Sequence, residues 1–185
     1  MEARSLTQSF SDDFLGYWID PRNRYLNSLL LGCGLPGGMM GSLMADLKSV
    51  HLAINMNLKN QGKPELNEDQ LLVELFNEVQ NIWPKLGNPP LVTPFSQYVK
   101  NIALMNLYSL SKGEPRYVNS IDKAAWDMIL GKAGKLPGKL DQEIVDLAKK
   151  KGFEFYTGNP QDNYPDELDR YISEMEKNGW ERGQD

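Results

Sequence analysis

The sequence predicts an all-α fold. Apolar residues recur at three- and four-residue spacing through most of the chain. Glycine and proline interrupt those stretches at helix-length intervals, and hardly any run alternates as a half-buried strand does.

Taken in order, residues 12–18 have room for one short helical turn. Asp20-Pro21 opens a new element, because proline suits the first helical position; residues 22–31 read equally as helix or extended chain. From Gly32 to Gly38, four glycines and a proline in seven residues forbid regular structure. A helix is expected over residues 39–60, with Met40, Leu43, Met44, Leu47, Ile54 and Leu58 on one face, ended by Gly62-Lys63-Pro64. Asn67 is an N-cap, followed by Glu68 and Asp69 where a helix start favours acids. The stripe Leu71, Leu72, Leu75, Phe76, Val79, Ile82, Trp83 and Leu86 follows, and Gly87 and Pro89-Pro90 stop it. Thr93 caps the next helix, with Pro94 in its first turn, running to about Ser111 and closed by Gly113. Ser120 starts a shorter helix over 121–130, broken by Gly131, Gly134 and Pro137-Gly138. Residues 140–151 form an amphipathic helix ending at Gly152. Residues 153–165 are a loop whose first part, 153–157, could pair as a short strand. A last helix spans about 166–177.

Composition narrows the function. With 185 residues, 41% hydrophobic and 24% charged, the chain suits one domain, or one and a half, with a real core. A net charge of −5 and scattered basic residues argue against nucleic acid and polybasic membrane docking. The run Lys149, Lys150 and Lys151 reads as the solvated end of a helix. One cysteine, Cys33, allows neither an internal disulfide nor a cysteine metal cage. There is no basic-then-apolar leader, and no apolar run reaches membrane-spanning length, so a cytoplasmic setting is expected. The sparse apolar anchoring of residues 5–20 and the abrupt end at Asp185 suggest a fragment of a longer protein.

Isolated chemical signals have plain readings. Gly32, Gly34 and Gly37 spell G-x-G-x-x-G, but no second buried strand with a ribose-binding acid follows, so a glycine turn is preferred, with Gly38 and Gly41 permitting close packing. His51, the only histidine, falls on an apolar stripe and reads as a packed, hydrogen-bonded residue rather than a ligand. Cys33 has no base nearby to activate it. Asp162, Asp166, Glu167 and Asp169 match no Ca²⁺ loop and suit a helix start.

Three segments together carry more. Leu35-Pro36-Gly37-Gly38-Met39-Met40-Gly41-Ser42-Leu43 is similar to "PGGM-x-SNL". The stretch from Gly87-Asn88-Pro89-Pro90 through Thr93-Pro94-Phe95-Ser96-Gln97 to Val99 is similar to "GYPPLVTPTSQIV". Leu130 to Gly138 resembles "L-x-G-x-Y-G-R-x-P". These motifs belong to biotin-dependent carboxyltransferase subunits: the carboxyltransferase part of pyruvate carboxylase, the oxaloacetate decarboxylase alpha subunit and the transcarboxylase large subunit. The resemblance covers residues 35–138 well and the rest weakly.

The resemblance implies a TIM barrel followed by a helical funnel-type domain over its mouth. In the family, the barrel holds a divalent metal through an aspartate, two histidines and a carbamylated lysine. CO2 then passes between carboxybiotin and pyruvate or oxaloacetate. With one histidine and no strand–helix repeat, this chain carries neither barrel nor metal site, and no Met-Lys-Met biotin anchor. The expected division is residues 1–34 as a remnant leading from the barrel and 35–185 as the helical domain. Its partners would be the TIM-barrel domain, a biotin carboxyl carrier protein and further copies in a homo-oligomer. A Ser or Thr hydroxyl after the Pro-Gly-Gly turn relays a proton in the family. Direct alignment puts Gly41 there and Ser42 one residue later: either Ser42 serves through a one-residue shift, or another group does. Ser42 is the catalytic candidate, and Gly37, Gly38 and Gly41 are the candidates for contact with carboxybiotin. The alternative is a stand-alone helical interaction module whose glycine turn serves packing alone.

Overall fold

The computed structural model describes residues 37–180, together with residues 6, 9, 10, 13, 14, 17 and 18. The element expected at 20–31, the glycine turn at 32–36 and Cys33 lie outside the described residues. Of the turn expected at 12–18, the Phe14 N–H donates to Phe10 O (2.9 Å), so helical bonding begins before residue 12.

Six α-helices follow in order: α1 Gly37–Asn60, α2 Glu68–Lys85, α3 Phe95–Ser111, α4 Lys123–Ile129, α5 Gln142–Lys150 and α6 Leu168–Lys177. A 3-10 turn, Pro160–Asn163, precedes α6. Among the described residues there is no strand, only an isolated antiparallel bridge between Leu86 and Leu140. The expected pairing at 153–157 is therefore absent; Phe153 N–H to Ala148 O (3.0 Å) and Tyr156 N–H to Leu130 O (2.8 Å) hold that segment instead.

Local chemistry explains most boundaries. Asn67 caps α2 by accepting from Gln70 N–H (2.8 Å), and the Gln70 side chain accepts in return from Asn67 N–H (2.8 Å). At the other end Gly87 takes φ +80°, and the bonds Gly87 N–H to Pro84 O and Asn88 N–H to Trp83 O close a Schellman motif.

Helices α1 and α5 start two residues from expectation, at Gly37 and Gln142, and three other starts differ for reasons the contacts show. Helix α3 begins at Phe95, and Pro94 at its N-cap makes no side-chain capping bond. Thr93 is exposed and does not cap, because the turn before the helix, with its cis Thr93–Pro94 bond, presents Val92 O to Ser96 N–H (2.9 Å). Helix α4 is capped by Asp122, not Ser120, whose hydroxyl is drawn to Asn106 Oδ1 (2.7 Å). Helix α6 starts at Leu168, since Asp166 Oδ1 already accepts its N–H (3.0 Å).

The core lies between α1, α2 and α3, and α3 packs on both of the others. It is built from Met39, Leu43, Leu47 and Ile54 of α1, the Leu71–Ile82 stripe of α2, and Val99, Ile102 and Ala103 of α3; Trp126, Met128 and Ile144 extend it under α4 and α5. Helices α1 and α3 run parallel in register. Ser42 meets Gln97, Asp46 meets Lys100 and Asn57 meets Ser111. His51 is half-buried and hydrogen-bonded as expected: its Nε2 lies 2.6 Å from Leu66 O, a contact that needs the proton on Nε2. Asn55 clamps the same loop through Leu66 N–H and O (both 2.9 Å).

Candidate functional site

The first family-like segment folds as the opening turns of α1. Met39, Leu43 and Leu47 are at most 1% exposed and pin one face of the helix to the core. That leaves Gly38 and Gly41 on the outer face. Among the described residues, no atom lies within 4 Å of a Cβ added at either glycine. Among the described residues nothing packs closely on these two glycines, and that face of the helix is open. Gly37 is the first helical residue.

Ser42 sits at the edge of that open face, half-buried. Its hydroxyl donates to Gln97 Oε1 (2.7 Å), with Met39 O (3.0 Å) as the competing acceptor for its one proton. The Gln97 Nε2 is 3.5 Å from Gly38 O, which fixes the amide with its oxygen toward Ser42. Gln97 belongs to the second segment, 55 residues away in sequence. A hydroxyl whose proton is committed inward presents lone pairs outward and can accept a hydrogen bond from a ligand on the open face.

One turn deeper along the seam, the Lys100 side chain is 4% exposed and its Nζ lies 2.7 Å from Asp46 Oδ2. An ammonium buried this far is tolerable because the carboxylate pairs with it, while Asp46, 52% exposed, keeps its own hydration.

The third segment closes onto the second. Gly138 N–H donates to Gly87 O (2.8 Å), and Asp141 N–H donates to Lys85 O (2.9 Å). A Cβ on Gly138 would stand 2.5 Å from Asn88 Nδ2, a side-chain end that would have to move, and 3.1 Å from the backbone Gly87 O, so glycine eases this approach. Gly131, at φ +84°, would bring its Cβ to 2.7 Å from Tyr156 O. Trp83 Nε1–H donates to Pro89 O (2.8 Å) and holds the proline loop that links the two contacts. The structure thus brings all three segments into one connected run along α1, the α2–α3 loop and the α4–α5 loop.

A second polar cluster was not legible. Glu78, 3% exposed, receives a bidentate grip from Arg116 (Nε–Oε1 and Nη2–Oε2, both 2.9 Å) and a bond from Asn106 Nδ2 (2.9 Å). The Glu78 hydrogen bond raises the Arg116 pKa. Asn106 Oδ1 accepts from Tyr117 N–H (3.0 Å) and Ser120 Oγ, which holds Tyr117 at φ +62°. Burial, then the charge of Glu143, pushes the Tyr117 phenol well above its usual pKa, and its hydroxyl has no partner among the described residues. The available signal was Glu78 itself, a charge three residues after Leu75 and four before Ile82 on the apolar stripe. This cluster ties α2 and α3 to the 112–122 loop and is structural.

Asp162, Asp166 and Glu167 bond to Asn159, to Leu168 N–H and to Arg170 respectively. Among the described residues, no group of three or more His, Cys, Asp or Glu side chains is placed to hold a metal ion. None of their helices is long and apolar enough to cross a membrane.

Comparison with known proteins agrees with the three segments. Residues 31–185 match the family model described as the conserved carboxylase domain. A pyruvate carboxylase subunit of Methanocaldococcus jannaschii is 28% identical over 159 residues, 86% of this chain and 24% of that protein. The 2-oxoglutarate carboxylase large subunit of Hydrogenobacter thermophilus is 34% identical over 121 residues, 65% of this chain and 15% of that protein. The methylmalonyl-CoA carboxyltransferase 5S subunit of Propionibacterium freudenreichii is 31% identical over 141 residues, 76% of this chain and 24% of that protein. The chain spans about a quarter or less of the length of these relatives. With the family model covering most of its length, this all-α chain belongs to the conserved carboxylase domain family, the C-terminal domain of biotin-dependent carboxyltransferases.

Proposed function

We propose that this chain works as the cap of a carboxyltransferase that moves CO2 between carboxybiotin and pyruvate or oxaloacetate. Residues 35–185 form the cap, and residues 1–34 lead from the barrel. The barrel is a separate catalytic body that carries the divalent metal; the donors described here do not fit that metal, and no step is assigned to it. Carboxybiotin would arrive on a biotin carboxyl carrier protein and supply the transferable carboxyl group. A helical cap over a barrel mouth excludes water from that labile group. Contacts between copies of the chain in an oligomer belong to the same reading.

The observation that carries the proposal is the Ser42–Gln97 bond beside the open face of Gly38 and Gly41. It joins two family segments where a flat ligand could approach the backbone. Gly37, Gly38 and Gly41 would make room for the carboxybiotin ring. Ser42, oriented by Gln97, would turn its hydroxyl out of that bond and relay a proton between the biotin nitrogen and the substrate methyl carbon, giving its own proton to one as it takes a proton from the other. A hydroxyl suits this because it both donates and accepts.

The test is oxaloacetate decarboxylation with free biotin, comparing the chain alone, a barrel-containing carboxyltransferase bearing this domain, and its Ser42→Ala form. The chain alone should show no turnover, and Ser42→Ala should lower the rate by about 100-fold. Substantial turnover by the chain alone would refute the division of labour; an unchanged Ser42→Ala rate would pass the proton to another group.

A further inference from the structure

A cavity of about 580 Å³ lies between the 130–140 loop and the 155–158 segment, with α5 contributing Val145 to its wall. That volume falls in the range of small-molecule sites. It is a formed hollow rather than a gap between free loops. Tyr156 N–H donates to Leu130 O and Gly138 N–H donates to Gly87 O (both 2.8 Å), which ties its two edges to the ends of α4 and α2.

Its apolar lining includes Leu130, Leu136, Val145 and Phe155. Of these, Leu136, Val145 and Phe155 are only half-buried, so part of their apolar surface still meets water. A ligand that covered them would gain a hydrophobic contribution the fold leaves unused. The lining is largely aliphatic, which suits an alkyl chain rather than the stacked rings an aromatic ligand would seek.

The charged residues of the lining are both lysines, Lys135 and Lys139. Both are exposed, and neither has an ion-pair partner among the described residues. The acids nearest along the chain, Asp141, Glu143 and Glu154, are not among the lining residues. Asp141 is committed to capping α5, and Glu143 pairs with Lys85 (3.2 Å). The Tyr156 hydroxyl is also engaged elsewhere, since it accepts from Asn163 Nδ2 (2.9 Å) and donates to Asn159 O (3.2 Å). The hollow thus sets uncompensated positive charge beside exposed aliphatic surface.

We infer that this cavity binds a small anionic amphiphile, an alkyl chain ending in a carboxylate. The chain lies against Leu136, Val145 and Phe155, and the head group meets Lys135 and Lys139. A lysine ammonium is a compact charge on a flexible stem, so it can follow a head group whose position shifts with chain length. Nothing in this site depends on carboxyltransferase chemistry.

Octanoate is the probe, titrated into the isotope-labelled full chain and followed by amide resonances. It should shift residues 131–140 and 155–158 with half-saturation at about 1 mM in a titration to about 20 mM. Octylammonium, with the same chain and the opposite charge, should bind at least about fivefold more weakly. The chain's net charge of −5 favours a cation non-specifically, so a preference for the anion reports the local site. Butyrate, with the same head group and a shorter chain, should bind at least about tenfold more weakly than octanoate. Lys135→Gln/Lys139→Gln should lower octanoate affinity at least about fivefold, and Lys135→Glu/Lys139→Glu should reverse the preference toward octylammonium. Both lysines are exposed and unpaired among the described residues, so melts of these variants should match the parent. No saturation within that range, shifts centred on other residues, equal affinity for octanoate and octylammonium, or octanoate binding indifferent to both lysine variants overturns the inference.

Discussion

Gly131→Ala should destabilise the domain far more than an alanine at a left-handed glycine with open space around it, and the structure says by how much. Gly131 has φ +84°, where an L-residue costs about 1–2 kcal/mol. Its Cβ would also stand 2.7 Å from the backbone oxygen of Tyr156. That oxygen is backbone on a residue whose own N–H is tied to Leu130 O (2.8 Å), so it cannot swing away like a side-chain tip, and overpacking adds about 1–3 kcal/mol. The sum, about 3 kcal/mol, corresponds to a Tm fall of about 6–12 °C in a domain of this size. Gly152→Ala is the control: φ is +73° but nothing lies within 4 Å, so only the backbone cost applies. Urea unfolding followed by tryptophan fluorescence, with thermal melts by circular dichroism, measures both. Equal losses in the two variants would refute the claim that the Leu130–Tyr156 contact is rigid and close.

Gly41→Ala should stabilise α1 by up to about 1 kcal/mol, since the helical site is open, yet lower the rate of a barrel-containing carboxyltransferase if carboxybiotin approaches that face; melts and the decarboxylation assay read the two effects separately. Asp46→Ala should cost about 1–3 kcal/mol in urea unfolding by leaving the Lys100 ammonium unpaired in the core, whereas Lys100→Met, which removes the buried charge, should cost less. Tyr117→Phe should be close to neutral, because the phenol it removes has no partner. The raised Tyr117 pKa means the folded state holds that proton more tightly. Its contribution is therefore complete below the usual phenol value, near 10, and is lost as pH climbs above it. An alkaline unfolding series should show a shallower decline in Tyr117→Phe than in the parent.

The helices were legible because their signals are local. Asn67, Gly87, Gly113 and Gly152 act on backbone within a turn of themselves, and the structure places each where the sequence did. The misplacements are tertiary: Ser120 had the chemistry of a cap, but Asn106 on α3 outbid the local amide for its hydroxyl. The candidate site was legible as segments and not as a place. Nothing in the spacing of Ser42 and Gln97 states that two helices separated by a third would lie side by side and bring them together. Glu78 was missed because the stripe around it reads well enough without it, and its partner Arg116 lies 38 residues on, in a loop.

The parallel seam between α1 and α3 has a kinetic consequence. Residues bonded across it stand 54 or 55 positions apart in the chain. Closing so long a loop, rather than a tight hairpin of a few residues, costs roughly 2 kcal/mol more in chain entropy. Helix α1 packs chiefly on α3 and touches α2 little, so its place in the bundle rests on that one seam. Of the three core helices, the one carrying Ser42 and the open glycines thus depends most on a single partner, and a cap built this way can loosen at its entrance while α2 and α3 stay paired.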